Sequence, residues 1–513
     1  MSGYISKRHN KFLVSGIKKL AQQTIWYGLS SMAARLINYL LTPYLTYKFT
    51  TSQYGEMSII YAFFPFMNVL FSYGMETTFF RFSQGNDNKA VHNTASTSLI
   101  ISTLVLSAIL LSITGPISHL LNISAHPEYL YLCVGIIATD AITIIPFAKL
   151  RQEGRPVKFA LIKIGGILCN MVCIYFLLSY APHWVKTHPG NFSVNYFTGA
   201  WAVGYVLVAN LIQNLLILLL LNKELTSFQW KPDRALWVSM LRYGLPLIIV
   251  GMAGTVNETF DRIMLGWWAP VKGVEAAKAE VGIYSACYKL SIFISLAVQA
   301  FKMGAEPFFF KLSTQEDAPK HYARVMKFFV IILCGMYLVV MLYLDIWKHF
   351  IQNKTMWVGL SVVPLLLLAN IFLGIYYNLS VWYKLGNRTM AGAWITIVGA
   401  IITLSINYWG IPHFSYVASA WATLVCYGSM MAISYLWGQK VYPVPYAINR
   451  LLLYLLIAVL LGKANEWISL PNSFPTIVHL LKSTVFLLIF VSLLYTLEKE
   501  ELKKLPLIGK WVR

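Results

Sequence analysis

The sequence predicts an all-α polytopic membrane protein: about 14 transmembrane helices, in two parallel-repeat lobes of six plus a C-terminal pair. Three observations carry that reading. The 513 residues are 58% hydrophobic and only 12% charged, with a mean hydropathy of +0.61; a soluble domain is nearer half apolar and a quarter charged. Apolar runs of about 20 residues, the length that crosses a bilayer, recur along the whole chain between short polar segments. Lys and Arg concentrate on alternate segments, as the positive-inside rule requires of a chain that weaves through a membrane.

Taken in order, the spans fall at about 24–47, 56–79, 93–115, 128–149, 157–180, 197–221, 239–267, 283–308, 324–347, 356–381, 389–409, 414–438, 450–468 and 477–497. The chain then divides into a basic cytoplasmic tail (1–22), a first lobe (23–221), a cytoplasmic linker (222–238), a second lobe (239–439), the appended helices (450–497) and a cytoplasmic tail (498–513). The opening MSGYISKRHNKFLVSGIKKL has no signal-peptide apolar region or cleavage site. Pro43, Pro65, Pro146, Pro246 and Pro364 fall inside spans, where they remove backbone hydrogen bonds and permit kinks.

With both termini in the cytoplasm, 28 of the 41 Lys and Arg residues lie inside. Outside are only Lys48, Lys186, Lys272, Lys278, Lys348, Lys354 and Lys463. The net charge of +21 is therefore a topology signal rather than a nucleic-acid surface.

One phrase occurs twice. GMETTFFR (Gly74–Arg81) returns as GAEPFFFK (Gly304–Lys311). Upstream, YGEMS (Tyr54–Ser58) is echoed by VGIYS (Val281–Ser285), and Tyr27-Gly28-Leu29 by Tyr243-Gly244-Leu245. Echoes in one order predict a duplication. Each copy runs the same way through the membrane, so the two lobes are related by an axis along the membrane normal and enclose a cavity.

A charge at bilayer depth costs at least about 2.5–3.5 kcal/mol, so such residues face a partner or a wet cavity. Arg35 lies near the middle of the first span and either pairs with Asp140 of the fourth or lines the cavity. Lys163, Lys289 and Lys302 add cations in the fifth and eighth spans; Lys163 and Lys302 could also reach the headgroups. Glu258, Asp261 and Arg262 stand in the seventh. Neighbours on a helix diverge, so Asp261 and Arg262 do not face each other, and either could pair with Lys289. Glu76 and Glu306 stand near Arg81 and Lys311 as helix-end ion pairs or gate contacts. Lys482 reads as a snorkelling lysine near a helix end. Cations thus outnumber carboxylates in the expected cavity, which suits an anion, and a guanidinium suits phosphate through its planar fork. Arg35, Lys163, Lys289 and Lys302 are the candidate substrate contacts; Asp140, Glu258, Asp261, Arg262, Glu76 and Glu306 are the coupling or gating candidates.

No phosphate-binding lysine loop, HExxH, GxSxG or metal-spaced His/Cys cluster is present. The six cysteines lie in apolar runs with no CxxC pair, which argues against disulfides and zinc. His183 and His188 read as solvated residues of one outer loop. Movement of a substrate, not chemistry on it, is expected, with no cofactor or metal and with an H+ or Na+ gradient, or the membrane potential, as the driving force.

The phrases YGLSSMAARLINYLLTPYL, YGEMSIIY with GMETTFFRF, YGLPLIIVGMAGTVNETFDRIMLG and VGIYSACYKLS resemble the O-antigen flippase (polysaccharide biosynthesis) family. That family lies within the multidrug/oligosaccharidyl-lipid/polysaccharide exporter superfamily. The likeness continues more weakly through GLSVVPLLLLANIFLGIYYN and WATLVCYG. It implies a flippase of the inner membrane that moves undecaprenyl-diphosphate-linked oligosaccharide by alternating access. The glycan would be an O-antigen, capsule or exopolysaccharide repeat unit. It also implies membrane lipid as a partner, with a polysaccharide polymerase and glycosyltransferases acting beside it, and no nucleic acid. Arg35 resembles the first-helix arginine of lipid-linked sugar flippases, and Asp261-Arg262 the family's Asp-Arg of the seventh helix. The lipid II flippases share the count of fourteen spans. Two rivals are an ion-coupled drug exporter of the same superfamily, which would need a more acidic cavity, and a membrane polysaccharide polymerase or ligase. The latter would need a larger outer loop than Ala181–Tyr196.

Overall fold

A computed structural model describes residues 32–33, 35–84, 87–188, 199–313, 315–386, 388–468 and 476–502. Among them, 13 helices are long and apolar enough to cross a membrane, from Thr51–Phe82 to Ile477–Glu501, and no strand occurs. They take the places of the second to fourteenth expected spans. The first expected span lies partly outside the described residues, as do the N-terminal tail and residues 503–513; its far end forms the helix Leu41–Lys48. Large apolar side chains such as Leu161, Val172, Leu219 and Leu488 face outward, the surface a multi-pass membrane protein offers to lipid tails.

Local chemistry sets the helix ends. Thr50 and Gln53 form a reciprocal capping box at the start of Thr51–Ser72. Asp233 accepts the Leu236 N–H at 3.0 Å and opens the 35-residue helix Arg234–Trp268; both caps satisfy amides that a helix start leaves without partners. Pro65, Pro146 and Pro246 lie inside helices as expected. Pro364 does not kink one: a 3-10 stretch, Lys354–Val362, precedes it, and Pro364 starts the helix Val363–Leu379, where a missing N–H costs nothing.

Two spans are interrupted in ways the hydropathy did not register. The second breaks at Tyr73 and Gly74, both left-handed (φ 33° and 71°), before continuing as Met75–Phe82. The eighth divides at Leu290–Ser291 into Val274–Lys289 and Ile292–Leu312. The fifth is longer than expected, running through a π-helical turn at Phe176–Tyr180 into Ala181–Thr187. His183 therefore sits on a helix rather than in a loop, and His188, just past its end, stacks on Trp184 at 4.9 Å.

The repeated glycine phrases mark where the first and second halves of the chain touch. A Cβ on Gly55 would fall inside the carbonyl of Lys278, and one on Gly282 inside that of Thr51. The helices Thr51–Ser72 and Val274–Lys289 thus cross with backbones in contact. At the other end of the second span, a Cβ on Gly74 would lie 3.0 Å from the Gly244 carbonyl, and one on Gly244 2.8 Å from that of Tyr73. That second crossing lies at the basic end of the bundle, among Arg81, Lys149, Arg151 and Arg155. The first lies at the opposite end.

The last two helices, Ile448–Trp467 and Thr476–Leu502, pack on Ala318–Leu342. Glu498 is buried at the junction. It pairs with Lys327 at 2.6 Å and Arg450 at 2.8 Å and accepts from the Tyr454 hydroxyl. Lys482 does not snorkel: its ammonium donates to the Asn465 and Ile468 carbonyls, each at 2.8 Å. It caps the helix Ile448–Trp467, whose last carbonyls would otherwise lack partners. All six cysteines are free.

Candidate substrate cavity

Below the Gly55–Gly282 crossing lies a cavity of about 480 Å³ between the two halves. The second span contributes Tyr54, Met57, Ser58 and Tyr61, and the eighth Ser285, Tyr288 and Lys289. Gly282 and Lys289 are seven residues apart on one helix, so the crossing roofs the cavity about 10 Å above the Lys289 backbone. The remaining polar lining comes from Asn38, Thr42, Asn170, Asn210, Gln213, Thr259 and Arg262. None of the lining residues is acidic.

The roof is polar as well as tight. Lys278, expected in an outer loop, is instead a buried helical residue. Its ammonium lies 2.9 Å from the Glu56 carboxylate across the crossing and 3.0 Å from Glu275. Glu275 also accepts from the Ser52 hydroxyl. That hydroxyl, with the Lys278 ammonium, holds the Glu275 carboxyl below its ordinary range, against an opposite pull from burial. Two contacts thus join the second and eighth spans here, Lys278 with Glu56 and Ser52 with Glu275.

The expected site residues whose side chains are described divide among four places. Lys289 and Arg262 line the cavity. Arg262 departs from expectation. Its guanidinium folds back over its own turn to bond the Asp261 carboxylate at 2.9 Å and the Glu258 carbonyl at 2.8 Å, while lying 4.5 Å from the Tyr288 ring centroid. Adjacent Cβ atoms do diverge on a helix, but an arginine chain is long enough to return. The other Asp261 oxygen accepts from Tyr284 at 2.6 Å. Asp261 is thereby satisfied without Lys289, and the lock expected between them does not form: among the described residues Lys289 has no ion-pair partner.

Arg35 and Lys302 form a second group. Both act electrostatically on Glu258, the Arg35 guanidinium donates to Gln299, and the Lys302 ammonium sits 4.5 Å from the Tyr377 ring. Arg35 precedes the cavity residue Asn38 by about one helical turn. The alternative Arg35–Asp140 pair is not formed. Asp140 instead accepts from Asn214 at 2.9 Å, and the cation acting on it is Lys163, which sits over the Phe147 ring at 4.2 Å. Lys163 and Asp140 thus make a third group, inside the first half.

At the basic end, Glu76 pairs with Arg151 rather than with Arg81. The break at Gly74 turns the Met75–Phe82 helix toward the fourth span, and Arg81 lies 4.1 Å over the Tyr243 ring. The side chains of Glu306 and Lys311 lie outside the described residues. Sequence reasoning passed over the neutral amides. Their signal was present: Asn210 and Gln213 interrupt an apolar run three residues apart, on one helix face.

Comparison with known proteins agrees with this architecture. Residues 20–313 match the family described as Polysaccharide biosynthesis protein. The Lsg locus putative protein 1 of Haemophilus influenzae is 19% identical over 300 residues, covering 58% of this chain and 68% of the relative. Among solved structures, the lipid II flippase MurJ in an inward closed conformation superposes with a TM-score of 0.70 at 14% identity, over 92% of this chain and 99% of its own. An inward-facing MATE-family multidrug transporter of the MOP superfamily gives 0.54 at 13% identity, over 82% and 93%. At these identities the likeness is one of fold.

Proposed function

The chain belongs to the polysaccharide biosynthesis protein family, and from that premise we propose that it is a flippase for undecaprenyl-diphosphate-linked oligosaccharide. It would carry an O-antigen, capsule or exopolysaccharide repeat unit across the inner membrane. The observation that carries this reading is the roofed cavity between the halves, which holds Arg262 and Lys289 and no carboxylate among its lining residues. Arg262 is answered by Asp261, but Lys289 has no ion-pair partner among the described residues. Such a cation at membrane depth is costly unless an anion reaches it during the cycle, and a diphosphate headgroup is such an anion. The same lining disfavours cationic drugs.

The two halves act as lobes. The basic end faces the cytoplasm, where Lys and Arg are retained, and the Gly55–Gly282 crossing closes the outer face. A headgroup entering from the cytoplasmic side passes Arg35 and Lys302 around Glu258, then reaches Lys289 and Arg262. Release needs the outer crossing to part and the Gly74–Gly244 crossing to hold. Among the carboxylates, Asp140, Glu258 and Asp261 remain the proposed sites through which an H+ or Na+ gradient resets the carrier.

The test is reconstitution in vesicles carrying fluorescent lipid-linked oligosaccharide in one leaflet, with exposure read by a membrane-impermeant glycosidase. The protein should accelerate transfer, and Lys289→Ala should abolish most of that acceleration. Transport of a cationic dye without transfer of the lipid-linked glycan would overturn the reading in favour of a drug exporter.

A further inference from the structure

The cavity lining is divided by chemistry as well as by chain. Asn38, Asn170, Asn210 and Gln213 all come from the first half, and Arg262 and Lys289 both come from the second. We propose that this division is functional: the first-half amides bind the sugar hydroxyls, and the second-half cations hold the diphosphate. The inference rests on the flippase reading and deepens it, because it assigns glycan selectivity to one wall of the cavity.

The donor and acceptor inventory supports the split. A sugar hydroxyl both donates and accepts, and a carboxamide offers both functions from one planar group, whereas an ammonium or guanidinium only donates. A wall of amides without charges therefore suits a polyol, and a wall of cations suits phosphate oxygens.

Two buried polar atoms of lining residues also lack partners. The Oδ1 of Asn170, a residue only 7% exposed, accepts no hydrogen bond, and the hydroxyl of Ser285, only 4% exposed, has none. A buried acceptor left unpaired is unfavourable, so Asn170, on the amide wall, keeps hydrogen-bonding capacity for a hydroxyl-bearing ligand. Among the described residues, Gln213 and Asn38 also have no intramolecular partner. Asn210 donates to the Tyr61 hydroxyl at 3.1 Å, which orients that amide. The partly buried ring of Tyr61 borders the cavity and offers an apolar face to a pyranose.

The proposal separates two affinities that a single binding site would tie together. The probes are geranylgeranyl diphosphate and its N-acetylglucosaminyl ester, titrated against the protein in nanodiscs. The unaltered protein should bind the glycosylated probe more tightly. Asn170→Ala, Asn210→Ala and Gln213→Ala should each erase much of that difference, by up to about tenfold, while holding the sugar-free probe as before. Retained binding of the sugar-free probe also shows that a variant has folded. Lys289→Gln should weaken both probes by the same factor. If the amide variants weaken both probes alike or neither, or if the unaltered protein binds the two equally, the division of labour is wrong and the flippase reading stands. If the unaltered protein binds neither probe, the flippase reading fails and this inference falls with it.

Discussion

Gly55 and Gly282 meet across the two halves of the chain, each with a backbone carbonyl of the other helix where its own Cβ would stand. They are the glycines of the two echoed phrases, so the repeat places small residues on both sides of one crossing. Gly282→Leu should force the helices apart, at an overpacking cost of about 1–3 kcal/mol or more. The roof should open as a result. With the six native cysteines replaced, a cysteine at Ser58 should then react faster with a membrane-impermeant maleimide added outside. Gly304→Leu is the control, because a Cβ there meets no described atom within 4 Å. Equal labelling in the two variants would show that the crossing is not a gate.

The Lys278 ammonium binds Glu56 and Glu275 over the same roof. Lys278→Met leaves Glu56 as a buried, uncompensated charge, a loss of about 3–5 kcal/mol, and adding Glu56→Gln should restore most of it. Thermal unfolding in detergent measures both. The exposed Glu275 contributes less, and its contribution has a definite sign. Its carboxyl is held below the ordinary value of 4.5, so the stabilisation is present above that value and lost as pH falls through the lowered one. The drop in melting temperature between neutral pH and about pH 3 should therefore be smaller in Glu275→Gln. An equal drop would remove Glu275 from the latch.

The second to fourteenth spans and their order were legible in the sequence because each helix must carry enough apolar residues to cross the bilayer. What sits within a span was not. Hydropathy averages over a window, so it passed smoothly across the breaks at Tyr73–Gly74 and Leu290–Ser291. Side-chain partners depend on helix rotation and on reach, which is why Glu76 was assigned to Arg81 and Asp261 was denied Arg262. Lys278 was read as a loop cation because charge marks a loop on average; here a glycine crossing brings Glu56 close enough to bury it. The cations themselves were visible. Their sorting into Arg262 with Lys289, Arg35 with Lys302, and Lys163 with Asp140 required the fold.

Orientation is open to a direct test. If the basic end is cytoplasmic, a reporter fused after Lys231 should be active only in the cytoplasm. One fused after Val271, beyond the long helix Arg234–Trp268, should be active only outside. A cytoplasmic signal at Val271 would reverse the assignment of the roof to the outer face.

Arg35 and Asp140 can be separated genetically, because the structure gives them different partners. Asp140 accepts from Asn214 and is acted on by Lys163. Asp140→Leu should lower stability by about 1–3 kcal/mol through the donors it strands, and Lys163→Met in the same chain should recover part of the loss. Arg35 instead donates to Gln299 and acts on Glu258. Arg35→Ala should leave membrane abundance near normal and reduce glycan export, by roughly ten- to a hundredfold if one charge-assisted contact of about 1.5–3 kcal/mol is lost. Arg35→Lys should recover only part, since an ammonium lacks the planar fork. Asp140→Asn should not rescue Arg35→Ala. Abundance by immunoblot and export by surface-glycan analysis, read on the same cells, decide the matter. Rescue by Asp140→Asn would mean that the two residues pair in another state of the cycle, and normal export in Arg35→Ala would remove Arg35 from the substrate path.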